Sequence, residues 1–458
     1  MTDGGSWGLP ALHAPALKWW LPLVLTPVLL VGFQYRRALP ALARRAYVAL
    51  LAGTIVAFGA LIALRARSNV ISPPEWDVQA FWLYGRVAAT GQNFYLPSVF
   101  HEVARPLQSG DVPLTSSDVF RREALDVGFP YPPPTILLVA PLGRLDLRTA
   151  ALAWYVVHAL ALVAAIVLLW RTFFEREDLL ALALTAALTL TLRSTYSTVA
   201  FGQTNFLVLL LLVLFWRTRD RPAGGAFAAL GMAVKPVMAI LLAYTVLRRG
   251  WRSLSVTAGA LAALSLVVLA AFGPEPFVTY FSGANPVGRV PGWLYTEETN
   301  QSLAATFVRV TGYDFRRGTP LVQPAFVATV AAVLGTTLWL AARLVRERGA
   351  LALALLVPAA LLVYPQSLEN YTVLLLVPML FVFTRREELG IGPWFAVAFV
   401  TAEYALIRAR EGHVAVLANA LHWLLLVGIG LRVASQQATE RRARPAAGLT
   451  TPGAPLPR

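Results

Sequence analysis

The sequence predicts an all-α polytopic membrane protein of about 12–13 transmembrane helices, with amphipathic helices on the outer face and re-entrant pieces between the spans. Three observations carry that class. Hydrophobic residues fill 57% of the 458 positions and charged ones only 14%, with a mean hydropathy of +0.62. A water-soluble chain of this length needs far less apolar surface, whereas about 20 apolar residues at 1.5 Å each cross a hydrocarbon layer of roughly 30 Å. Second, the net charge of +15 is dealt out in short arginine clusters between apolar runs, as at Arg217, Arg219 and Arg221 and at Arg248, Arg249 and Arg252. Such clusters mark cytoplasmic loops, so they read as topology and exclude nucleic acid as the partner. Third, two long stretches of mixed polarity, residues 65–130 and 273–320, fall on the side without arginine clusters. There is no cysteine, which excludes disulfides and cysteine metal sites.

Residues 1–17 read as a flexible N-terminus, residues 18–435 as one polytopic domain, and residues 436–458 as a basic, disordered cytoplasmic tail. The first span runs from about Lys18 to Phe33 and the second from about Tyr47 to Leu64, with Arg36, Arg37, Arg44 and Arg45 between them on the inside. The outer loop 65–130 follows. Near its start Pro73 and Pro74 restrict the backbone, and Val78, Phe81 and Trp82 then recur at helical spacing, which puts Asp77 in the first turn of a short amphipathic helix. The proline-broken apolar run from Tyr131 to Leu142 is too short for a span and reads as re-entrant. Spans then follow over 150–170, 179–192 and 206–216, with an outer turn over 194–203. Residues 223–247 have arginines at both ends and read as a hairpin of two short helices turning at Lys235-Pro236. Further spans are expected over 251–272, 326–344, 351–364, 371–384, 393–407 and 414–431.

With this topology the informative polar residues gather on the outer side. A charge inside a membrane costs about 2.5–3.5 kcal/mol at a helix centre, so each such residue is a site candidate. Asp77 is the carboxylate of the first outer loop; its bland reading is a helix-terminal residue favoured by the macrodipole. Lys235 interrupts an apolar stretch and is either a lysine snorkelling to a headgroup or a point charge for a phosphate. Arg408 and Arg410 break the positive-inside pattern, as headgroup anchors or as a phosphate clamp. Gln203 and Asn205 bring two amides to a turn that equally well starts a helix. Asn300, Gln301, Glu369, Asn370 and Tyr371 lie at other outer ends. The five histidines are scattered without metal-ligand spacing, and no phosphate-binding glycine loop or Ser-His-Asp order occurs. Any chemistry therefore rests on a carboxylate base and on cations that hold an anionic leaving group, with no metal or other cofactor.

Six motifs stand in order: Asp77-x3-Phe81-x2-Tyr84 with Gly91-x3-Tyr95, Tyr131-Pro132-Pro133, Gly202-Gln203-x-Asn205, Lys235-Pro236 and Asn300-Gln301-Ser302. Over about residues 45–430 this series resembles the polyprenyl-phosphate-mannose-using glycosyltransferases of family 87, which have the GT-C fold and include an enzyme that extends phosphatidylinositol mannosides. The resemblance implies a catalytic carboxylate in the first outer loop, which maps onto Asp77, and a lipid-phosphate sugar donor loaded at the outer leaflet of a bacterial inner membrane without a metal. Two departures stand out. The span from Lys18 to Phe33 is extra, and Ser367-Leu368-Glu369-Asn370-Tyr371 has Glu and Asn where a histidine is expected before the tyrosine.

The reading is a multi-pass inverting transferase moving a hexose, mannose on the resemblance, from a polyprenyl phosphate to a glycolipid or glycan hydroxyl at the outer face, with the C-terminus cytoplasmic. Asp77 is the general base. Lys235, Arg408, Arg410, Gln203 and Asn205 take the donor phosphate, and Phe81, Tyr84, Tyr131, Asn300, Gln301, Glu369, Asn370 and Tyr371 line the sugar and acceptor. The alternative is a transporter or flippase of a lipid-linked or small anionic solute. Alternating access favours repeated halves and a site open to both faces; no fixed-period repeat is present.

Overall fold

A computed structural model gives the fold, and it describes residues 15–73, 77–108, 128–284, 292–314, 320–406 and 417–443. The described residues are helical throughout, with one isolated antiparallel bridge between Asn300 and Leu368. The polytopic all-α class is therefore what the chain forms. Its helices are unequal in length. Four are individually long and apolar enough to cross a membrane: Ala41–Ile71, Leu147–Phe173, Trp251–Phe272 and Pro324–Leu344. A fifth candidate is a broken pair, Leu179–Thr191 and Arg193–Phe201, bent by 58°. The remaining apolar helices are shorter, among them Asn205–Thr218, Ala223–Val234, Gly349–Val363 and Pro393–Leu406.

Helix starts follow local chemistry. Asp146 accepts hydrogen bonds from the Arg148 and Thr149 amides, Asp178 from Ala181 and Ser302 from Ala305, each satisfying donors that the first turn leaves without intrahelical partners. Asp178 also accepts from Arg36 at 2.7 Å, tying the first arginine cluster to a second loop. The expected hairpin over 223–247 forms as Ala223–Val234 and Pro236–Leu247, with Lys235 at the turn. The segment after Tyr131 is broken as expected, into a 3-10 turn at Pro133–Thr135, one helical turn at Ile136–Val139 and a second 3-10 turn at Ala140–Arg144.

Three boundaries and the setting of one helix differ from the sequence reading. The second helix continues past Leu64 to Ile71, because Arg65, Arg67 and Ser68 at its end are compatible with helix and Pro73 is what stops it. The stretch 194–203 is a short helix and not an open turn. The last helix, Leu417–Ala443, takes in residues 436–443, which were assigned to the tail; residues 444–458 lie outside the described residues. The helix Asp77–Ala89 starts where predicted, but it is not an amphipathic helix lying on the surface. Every residue from Val78 to Gly85 is buried. It is apolar on all sides, which is the signature of an enclosed helix. Gly85 lets it lie against the broken segment: a Cβ there would sit 2.5 Å from the Gly143 amide nitrogen. Backbone meets backbone at that crossing.

Candidate active site

Asp77 opens its helix at the mouth of this enclosure and keeps partial exposure while its successors are covered. Its carboxylate is not occupied as a plain helix cap would be. Oδ1 accepts a hydrogen bond of 2.8 Å from Gln203 Nε2, 126 positions away in the chain. The Gln203 carbonyl oxygen in turn accepts from Lys235 Nζ at 2.8 Å, and the same ammonium donates to Asn205 Oδ1 at 2.8 Å. A carboxylate, two amides and an ammonium thus form one connected line. Lys235 is 1% exposed and its Nζ lies 3.7 Å from the centre of the Tyr371 ring, a cation on an aromatic face. It does not snorkel. Its charge is held inside by two oxygens and a ring, which is how an apolar interior accepts a cation.

The turn that presents Gln203 is built by glycine. Gly202 has φ +74°, closing the helix Arg193–Phe201 in the left-handed conformation, and Gln203 N bonds back to the Thr198 carbonyl. A Cβ at 202 would come 2.2 Å from Val78 Cγ2, so the turn also needs glycine for space against the Asp77 helix. Trp154 donates from its indole to the Gly202 carbonyl at 2.7 Å and fixes the turn from the other side. Behind it, Asn205 Nδ2 reaches Thr198 Oγ1, which reaches the Asn370 carbonyl, both at 3.4 Å.

Burial pushes the Asp77 carboxyl up to about 7, while the Lys235 charge and the Gln203 hydrogen bond pull the other way. A carboxylate poised near neutrality suits a general base, because a substantial fraction is ionised near neutral pH and that fraction is basic enough to take a proton.

The structure gathers some predicted residues and places others elsewhere. Asp77, Gln203, Asn205, Lys235 and Tyr371 come together. Phe81 and Tyr84 are almost fully buried in an aromatic cluster in which Phe81 meets Trp154 at 4.8 Å and Tyr131 at 5.7 Å, so they support the site from behind. Tyr131 is the partly exposed member of that cluster. Asn300 gives both amide hydrogens to backbone carbonyls, of Leu294 and Pro365, and Gln301 N bonds the Ser367 carbonyl; these residues pin the loop before Leu303 to the segment before Glu369. Glu369 forms a buried ion pair with Arg193 at 2.8 Å. Asn370 is 1% exposed, its carbonyl accepting from Thr198. Arg408 and Arg410 lie outside the described residues. Among the described residues no three His, Asp or Glu side chains gather as a metal would require.

Sequence reasoning passed over Arg193, Trp154, Thr198 and Glu403; Glu403 lies 3.9 Å from His422, one of the five scattered histidines, and both are fully buried. Arg193 and Glu403 were findable by the rule that selected Lys235, since both interrupt apolar runs. Arg193 was hidden by its place at the boundary of an expected turn.

Comparison with known proteins sharpens the picture. The family model of glycosyltransferase family 87 matches residues 129–365, just over half of the chain. The chain belongs to glycosyltransferase family 87. The matched stretch contains Tyr131, Gln203, Asn205, Lys235, Asn300 and Gln301, and Asp77 precedes it. An alpha-(1->3)-arabinofuranosyltransferase of Mycobacterium tuberculosis is 34% identical over 137 residues, 28% of this chain and 31% of the relative. The polyprenol-phosphate-mannose-dependent alpha-(1-2)-phosphatidylinositol mannoside mannosyltransferase of the same organism is 27% identical over 256 residues, 53% of this chain and 57% of the relative. Its counterpart in Mycolicibacterium smegmatis is 26% identical over 330 residues, covering 66% and 68% of the two chains. The chain thus spans about a third of the arabinofuranosyltransferase and more than half of each mannosyltransferase. No solved structure matches. Family membership together with four helices individually long and apolar enough to cross a membrane makes this chain a multi-pass membrane member of that family.

Proposed function

We propose that this glycosyltransferase moves a hexose, mannose by similarity to the mannosyltransferases, from a polyprenyl-phosphate donor to a glycolipid or glycan hydroxyl, with inversion and without a metal. The observation that carries the reading is the connected line Asp77–Gln203–Lys235–Asn205, which puts a carboxylate and a cation at one site inside an apolar bundle. Asp77 Oδ1 is held by Gln203, so Oδ2 is the oxygen that takes the acceptor proton as the acceptor oxygen bonds to the anomeric carbon. The bond between that carbon and the phosphate oxygen breaks, and the electron pair leaves with polyprenyl phosphate. Lys235 offsets the charge that develops on the phosphate, in a dry setting where a fixed cation acts more strongly than in water. Tyr131 and Tyr371 wall the sugar. The site opens to the outer face of a bacterial inner membrane, because the arginine clusters lie at the opposite helix ends.

The test uses the full chain, wild type and Asp77→Asn, in lipid nanodiscs with radiolabelled polyprenyl-phosphate-mannose or a polyprenyl-phosphate pentose and a mixed lipid extract. Release of polyprenyl phosphate together with a new labelled product, from wild type alone, is the expected result. Label carried intact across a sealed bilayer, with no donor consumed, would replace the transferase reading with transport.

A further inference from the structure

The hairpin that carries Lys235 at its turn has a second basic site at its other end. Where the helices Asn205–Thr218, Ala223–Val234, Ile240–Leu247 and Trp251–Phe272 end or begin, their loops enclose a depression of about 520 Å³ lined by Arg219, Arg221, Arg248, Arg249 and Arg252 with a single carboxylate, Asp220. The helix Ala223–Val234 separates this depression from Lys235 by 12 residues, about 18 Å at 1.5 Å per residue, so it is not part of the site described above.

The carboxylate is already shared. Arg248 Nε donates to Asp220 at 3.1 Å, and Arg219 Nε lies 3.8 Å from its other oxygen. Arg248 is further fixed by the Val345 and Arg346 carbonyls. That leaves Arg221, Arg249 and Arg252 without an ion-pair partner among the described residues, around a concavity large enough for a phosphate group with its first substituents. An independent observation concerns the backbone. Arg249 has φ +57° and is the one non-glycine residue with positive φ among those described. The left-handed region strains a residue with a Cβ and favours glycine at a helix end, yet glycine stands one position later, at Gly250. The helix end therefore keeps an arginine where its backbone would favour glycine, and that arginine lines the depression. Sparsely populated backbone held in this way marks sites under a further demand. Trp251, 67% exposed at the rim, has the amphipathic ring that sits at headgroup level.

We propose that this depression is an anion site for the phosphate of a lipid headgroup, on the membrane face opposite Asp77. Guanidinium groups suit the task because their forked donors match phosphate oxygens in pairs, and basic pockets between helix ends retain anionic headgroups. Plain positive-inside topology asks only for charge in the loop; it asks neither for a concavity nor for a strained arginine beside a glycine.

The experiment is native mass spectrometry of the purified full chain titrated with phosphatidylglycerol, with phosphatidylcholine of the same acyl chains, and with phosphatidylglycerol in the presence of inorganic phosphate. Wild type should prefer phosphatidylglycerol, each of Arg221→Gln, Arg249→Gln and Arg252→Gln should weaken that preference about fivefold, and the triple variant should abolish it. Arg249→Gly keeps the variant series interpretable: it should raise the thermal midpoint by relieving the backbone and still lose headgroup affinity. A preference unchanged in the triple variant would overturn the proposal. So would equal displacement by millimolar inorganic phosphate, which would reassign the depression to a soluble phosphate. A lower midpoint in Arg249→Gly would refute the argument from strain.

Discussion

One hairpin, 223–247, has a cation at its turn and arginines at its base, and the two ends solve opposite problems. At the turn a single lysine is 1% exposed and has two side-chain oxygens and an aromatic ring around it. At the base five arginines stand around one carboxylate that pairs with two of them, and that carboxylate is open, Asp220 being 50% exposed. Water and headgroups solvate the base without help from the fold. In the interior an unpartnered charge costs several kcal/mol, so Lys235 persists only because other elements bring it partners. The contrast separates a charge that marks topology from one that the structure is organised to hold, and burial with partners is what marks the second kind.

The sharpest way to break the contrast is at the carboxylate that faces the buried cation. Asp77→Asn should lower kcat by about 10²–10⁴-fold, the usual contribution of a general base, while the protein still inserts and elutes as wild type. Normal turnover would return Asp77 to a helix-terminal role. On the proposed mechanism the same residue should set the pH profile. Burial raises its carboxyl to about 7, and the base works only when deprotonated, so kcat/KM should be lost as pH falls through about 7 and level off above it. A flat profile between pH 5 and pH 8, roughly the window in which a group with such a value titrates, would contradict the assignment.

Next in size is the buried ion pair beside the site. Arg193→Ala should destabilise the protein by about 3–5 kcal/mol, because it removes the guanidinium that pairs with the buried Glu369 carboxylate; thermal unfolding in detergent reads this, and removing both partners should cost less than removing either. Lys235→Met removes one charged donor from two amide oxygens and should weaken donor binding about 10- to 100-fold in a KM or direct binding measurement. Unchanged donor affinity would make Lys235 purely structural. The smallest effect belongs to the base of the hairpin. Asp220→Asn breaks only partly exposed pairs with Arg219 and Arg248 and should move stability by about 1 kcal/mol or less, as double-mutant cycles with Arg248 would show.

The sequence by itself determined the class, the hairpin and most of the residues that come together at the candidate site. Hydropathy and arginine placement are local in the chain, and membrane insertion responds to them directly, so the polytopic all-α reading needed no tertiary information. A lysine in an apolar run and a carboxylate after two prolines were conspicuous for the same reason, and Asp77, Gln203, Asn205, Lys235 and Tyr371 do converge. Only the tertiary structure decided which polar residues face the site and which serve the fold. Glu369 and Asn300 looked like ligand-binding groups, yet one meets Arg193, 176 positions away, and the other pins two loops through backbone carbonyls. Val78, Phe81 and Trp82 carry the spacing of a surface amphipathic helix, yet every residue from Val78 to Gly85 is buried, with Gly85 lying against Gly143. The physical reason is common to all of them. A polar or aromatic side chain declares in the sequence that it needs a partner, but the partner comes from a distant segment, and only the folded chain says which one arrives.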